Sequence, residues 1–110
     1  MSAIVTVYAT FPTEEEARTV ARTLVEERLA ACANILGPTC SIYRWEGSVE
    51  EASEIAAIFK TAESRAGALM ARLNDLHSYE VPAITVWPIA EAFPLYEAWV
   101  LTETSPDQSA

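Results

Sequence analysis

The sequence predicts an α+β fold of the ferredoxin-like kind, a βαββαβ sandwich with a trailing C-terminal helix, in which two helices cover one face of a four-stranded antiparallel sheet. Two observations lead there. Uncharged, β-branched runs alternate with two segments of helical periodicity, and a short turn sequence interrupts a long extended stretch in the middle of the chain. With 110 residues, 51% of them hydrophobic and 21% charged, the chain suits one globular domain, expected over residues 1–104, followed by a disordered acidic tail over 105–110.

Each element has its own signal. Ile4 to Phe11 carries no charge and reads as a strand buried on both faces, ended by Pro12. Thr13 with Glu14, Glu15 and Glu16 forms a capping-box pattern, which places acids at the positive end of a helix dipole. Ala17, Val20, Ala21, Leu24, Val25 and Leu29 then recur at helical spacing, so this helix is expected from Glu14 to Leu29 or Ala30. Cys32 to Leu36 is extended, Gly37-Pro38 marks a bulge or bend, and extended structure resumes from Cys40 to Trp45. Glu46-Gly47-Ser48 supplies turn residues and Val49 to Thr61 returns, giving a long hairpin whose tip, Tyr43 to Glu54, is expected to project and pair with another subunit. Thr61 is placed to cap a second helix with a stripe of Ala62, Ala66, Leu69, Leu73 and Leu76, stopping near His77. Val81 to Ile89 reads as a strand with proline near either end, and Phe93 to Thr104 as a short helix burying Leu95, Trp99 and Val100.

Composition excludes several functions. Sixteen acidic residues against seven basic ones give a net charge of -9, a field that repels phosphate backbones and anionic membrane surfaces, so neither nucleic acid nor membrane is an expected partner. No apolar run reaches the roughly 20 residues of a membrane span, and the start lacks the features of a signal peptide, so a cytoplasmic location is expected. Cys32 and Cys40, eight apart in extended chain, are too distant to bridge and are expected as reduced thiols. No paired-acid site, Ser-His-Asp set, Cys-His pair at known spacing or glycine-rich phosphate loop is recognisable, which argues against an enzyme. Tyr8, Trp45, Trp87 and Trp99 are more aromatic surface than one sheet face hides, which points to self-association.

Four separated blocks carry a resemblance. Glu27-Arg28-Leu29-Ala30-Ala31-Cys32-Ala33-Asn34-Ile35, Ser41-Ile42-Tyr43-Arg44-Trp45-Glu46-Gly47, Phe59-Lys60-Thr61 and Leu76-His77-Ser78-Tyr79-Glu80-Val81-Pro82 resemble, in order and spacing, the CutA family of divalent-cation tolerance proteins. The resemblance implies a homotrimer, similar in architecture to the regulatory PII proteins, and a non-enzymatic role in tolerance of copper and other divalent ions. The family usually has Pro where this chain has Ser78, and some members carry a His and a Cys, proposed as copper ligands, where this chain has Leu76 and Ala9. Cys40 lies outside the family pattern.

For chemistry, Cys32, His77 and Glu80 are the candidate metal ligands. His77, the only histidine, reads either as a ligand assisted by Glu80 or as an imidazole capping a helix end, and Cys32 either as a soft ligand or as buried packing. With so few donors a closed four-ligand site needs neighbouring chains, although exposed Glu50, Glu51 and Glu54 are placed to attract divalent cations loosely. No cofactor is required; copper or another divalent metal ion is the ligand the resemblance implies. Lys60, the sole lysine, is suited to hold an anion or to pair with an acid across an interface. Tyr43, Trp45, Tyr79, Tyr96 and Trp99 join it as candidate lining of an inter-subunit cleft. Such a cleft defines an alternative function, a PII-like sensor or scaffold binding a small molecule or partner protein.

Overall fold

The computed structural model of the chain describes residues 2–106. Four strands, β1 (Ile4–Phe11), β2 (Cys32–Trp45), β3 (Ser48–Ala62) and β4 (Ile84–Pro88), form one sheet in the order β2-β3-β1-β4. All three pairings are antiparallel. The helices are α1 (Glu14–Glu26), α2 (Ala66–Leu76) and α3 (Pro94–Glu103). This is the expected ferredoxin-like order, with β1 hydrogen-bonded on both sides.

Alternation along β1 divides the two faces. Val7, Ala9 and Phe11 point into the main core, where Ala17, Val20, Ala21 and Leu24 of α1 and Leu69 and Leu73 of α2 meet them. Ile4 lies on the opposite face and packs with Ala31 and Val100, so α3 covers only that end of the second face. β2 and β3 outrun the body of the molecule as a hairpin, which contributes to a shape of 46 × 30 × 21 Å. Its turn is Glu46-Gly47, both at positive φ (47° and 83°), the type I′ geometry that matches strand twist. The bulge expected at Gly37-Pro38 is a register shift between Ile35 and Gly37, with Gly37 at φ 105°.

Several boundaries differ from the sequence expectation. Helix α1 stops at Glu26 because Arg28 adopts φ 62°, and the Leu29 and Ala30 amides turn back to the Leu24 carbonyl. Arginine occupies this left-handed position instead of the usual glycine, and its guanidinium reaches the end of α3, donating to the Thr102 carbonyl (3.0 Å) and Ser105 carbonyl (3.4 Å) beside Glu103 (3.8 Å). Ser105, the start of the expected tail, is thus held; residues 107–110 lie outside the described residues. β4 begins at Ile84 rather than Val81, and α3 buries Val100 while Leu95 and Trp99 stay 74% and 43% exposed. The inward stripe of α3 therefore runs through Tyr96 and Val100, four residues apart, which meet the Ile4 end of the sheet.

Thr61 does not cap α2. It remains in β3 opposite Val5, and a 3-10 turn, Glu63–Arg65, intervenes before the helix. Its hydroxyl is fully buried without a hydrogen-bond partner among the described residues. An unpaired buried hydroxyl costs about 1–3 kcal/mol. Thr61→Val keeps the shape and removes that cost, so chemical denaturation should show a variant more stable by about 1 kcal/mol, with an unchanged m-value.

Candidate functional site

The structure sorts the candidate residues into two groups at opposite ends of the sheet. The first gathers where α2 ends beside the last residues of β1. His77 is buried, stacks on Phe11 at 4.8 Å and places Nε2 2.7 Å from the Thr10 carbonyl. A carbonyl only accepts, so Nε2 carries the proton and donates. Nδ1 accepts from the Tyr79 amide at 3.0 Å, which fixes the neutral Nε2–H tautomer and leaves neither ring nitrogen free.

Two acids, Glu16 and Glu54, complete this group. Thr13 Oγ1 accepts the Glu16 amide as the capping box requires (3.1 Å), but the Glu16 carboxylate does not reach back to Thr13. It accepts from the Ser78 amide at 3.0 Å and lies 3.6 Å from His77 Nδ1, tying the start of α1 to the end of α2. A proline at position 78 would have no such amide to give. Glu54, expected as an exposed carboxylate, is only 8% exposed because the Tyr79 hydroxyl donates to it at 2.8 Å at the root of the hairpin. Burial pushes the Tyr79 phenol up to about 12, helped by the Glu54 carboxylate and, more weakly, by Tyr43 and Glu16. Tyr43 thereby joins this group from β2. No local signal in the sequence paired Glu54 with a residue 25 positions later.

The second group sits at the opposite end, on the face that α3 partly covers. Cys32 Sγ lies 3.3 Å from the Tyr96 hydroxyl, and Tyr96 stacks on Trp99 with centroids 5.8 Å apart. Desolvation, then the contact with Cys32, pushes the Tyr96 phenol up to about 12. Lys60 faces Cys32 directly across the β2–β3 ladder. Two candidates join neither group: Trp45 is 50% exposed at the hairpin tip, and Glu80 is exposed beyond Tyr79.

The metal candidates are consequently dispersed. Cys32 is level with Thr6, which shares Lys60 as its ladder partner, whereas His77 bonds Thr10, four residues and about 13 Å further along β1. Among the described residues no three His, Cys, Asp or Glu side chains converge to hold a metal ion. Cys32 and Cys40 are both free, as their spacing predicts. The donors of one chain do not fit a closed metal site.

An antiparallel sheet of this order with helices packed on it and a projecting β2–β3 hairpin defines a ferredoxin-like α+β protein. The family model described as CutA1 divalent ion tolerance protein matches residues 5–103, and the chain belongs to this family. It is 47% identical over 98 residues to the divalent-cation tolerance protein CutA of Thermus thermophilus, covering 89% of this chain and 95% of that one. Against the protein of the same name from Pyrococcus horikoshii it is 43% identical over 101 residues, with 92% and 98% covered. It spans 52% of Protein CutA of Mus musculus, at 40% identity over 84% of this chain. Among solved structures, CutA from Xylella fastidiosa superposes with a TM-score of 0.92 at 35% identity, covering 94% of this chain and all (100%) of that one.

The first group yields a test of its central contact. Tyr79→Phe leaves the Glu54 carboxylate buried without its donor, and denaturation at pH 7 should show a loss of about 1.5–3 kcal/mol. A phenol whose folded value is raised to about 12 from an ordinary 10 stabilises the fold fully below pH 10, and that contribution disappears as pH rises towards 12. Between pH 10 and 12 the wild type should therefore lose stability more steeply than Tyr79→Phe, with Tyr96 supplying the slope that remains.

Proposed function

We propose that the protein acts as a non-enzymatic homotrimer in divalent-cation tolerance, meeting copper or another divalent ion at donors shared between copies. The observation that carries this reading is the open second face of the sheet. Only its Ile4 end is covered by α3, while the Tyr8–Trp87 stack (4.9 Å) lies on it and Trp87 is 47% exposed. Tyr43 and Trp45, which the ladder register places on the same face, extend this apolar surface along the hairpin. Surface of that kind is normally covered by another chain, and the family resemblance supplies the number three. Two free thiols, one of them exposed, suit a reducing cytoplasm. No helix among the described residues is long and apolar enough to cross a membrane.

Cation binding, on this reading, is weak and oxygen-based. His77 has no free nitrogen, Cys32 faces an ammonium across the ladder, and Glu50, Glu51 and Glu80 are the exposed acids of the candidate segments. Light scattering should give three times 12.0 kDa, and deletion of residues 44–49 should dissociate the assembly. Calorimetric titration of reduced, chelator-stripped protein with Cu(I), Cu(II) and Zn(II) should show weak binding that Cys32→Ser and His77→Ala leave unchanged and Glu80→Gln lowers. Tight binding lost in Cys32→Ser would instead establish a thiolate site.

A further inference from the structure

We propose that Lys60 is the centre of a binding site for a small oxyanion, a carboxylate or phosphate, on the sheet face that α3 partly covers. The proposal does not depend on the cation reading. Residues directly opposite in an antiparallel ladder project from the same face, with Cβ atoms about 5 Å apart. Lys60 has two such neighbours, Thr6 on β1 and Cys32 on β2, so an ammonium, a hydroxyl and a thiol stand side by side across three strands. Tyr96 closes the row from α3, its hydroxyl 3.3 Å from Cys32 Sγ. Thr6 is buried, and Lys60 and Cys32 are half-buried, so the row is a recessed strip with hydrogen-bond donors.

Charge makes the strip unusual in a chain of net charge -9. Lys60 is the only cation that β1 to β4 place on this face between the Ile4 end and the bulge, and it makes no ion pair with a described carboxylate. Glu54, the nearest acid along the same face of β3, is six residues and about 20 Å away and is engaged by Tyr79. Glu97, next to Tyr96 in α3, is occupied by the Ser2 hydroxyl (2.5 Å) and the Ala3 amide (2.7 Å). A half-buried ammonium with no carboxylate partner among the described residues, surrounded by neutral donors, calls for an anion with several acceptor oxygens. Thr6 and Tyr96 supply directional hydrogen bonds, and Lys60 supplies the charge. The Tyr96 phenol, pushed up to about 12, keeps its proton to donate at neutral pH.

The test uses the full chain with inorganic phosphate and succinate as separate probes. Because Lys60 is the sole lysine, its acetylation by acetic anhydride can be followed on one peptide by mass spectrometry. Saturating protection by one or both anions is expected, and the probe that protects names the class. Calorimetry should show the protecting anion bound at least tenfold more weakly by Lys60→Met and severalfold more weakly by Tyr96→Phe, while Lys60→Arg retains most of the affinity. Wild-type protein that neither anion protects overturns the proposal, as does Lys60→Met binding the anion like wild type. If Lys60 is already protected without anion, and Lys60→Met lowers the mass seen by light scattering, the lysine is the counter-charge for an acid of a second copy and the proposal fails.

Discussion

Everything in this molecule is arranged around β1, eight residues without a charge, paired on both sides and covered on most of both faces. Backbone amides and carbonyls in so dry a position must be satisfied by neighbouring strands, which obliges β3 and β4 to flank it. The side chains then assign one job to each face. Val7, Ala9 and Phe11 require helices above them, whereas Ile4, Thr6, Tyr8 and Thr10 mix apolar and hydroxyl groups and do not close a core alone. The two groups of side chains follow from that asymmetry: one collects where β1 ends, and another beside α3 on the second face.

How far the sequence discloses this depends on the range of the interaction. The alternation of β1, the helical stripe of α1, the Gly37-Pro38 bulge and the Glu46-Gly47 turn are local, and each expresses a backbone preference of the residues present. The structure departs from the local pattern where a distant partner overrides it. Arg28 accepts a left-handed conformation because the end of α3 engages its guanidinium, 74 residues away. Thr61 has the chemistry of a cap, but pairing with Val5 holds it in the strand. Leu95 and Trp99 are as apolar as Val100, and only the position of Ile4 and Ala31 decides which of them is buried.

Much the same holds for the candidate residues. Aromatic and ionisable side chains were recognisable as types, and the pairing of Cys32 with Tyr96 or of Tyr79 with Glu54 was not, because each joins segments that meet only through the sheet register. His77 is the instructive case. A lone histidine at a helix end is compatible with a ligand or a structural imidazole, and the two nitrogens decide between them only when Thr10 and the Tyr79 amide are in place.

Ser78 shows how one departure from a family pattern can be absorbed. Proline there would preset the backbone of the turn, and serine gives up that restraint. It retains an amide, and Glu16 is positioned to accept it because Thr13 has already fixed the first turn of α1. The same carboxylate lies 3.6 Å from His77, whose ring holds the amide of Tyr79, whose hydroxyl in turn holds Glu54 at the root of the hairpin. A restraint that proline would impose through one φ angle is replaced by a chain of hydrogen bonds running from α1 through the end of α2 to β3. The turn is thereby coupled to the hairpin.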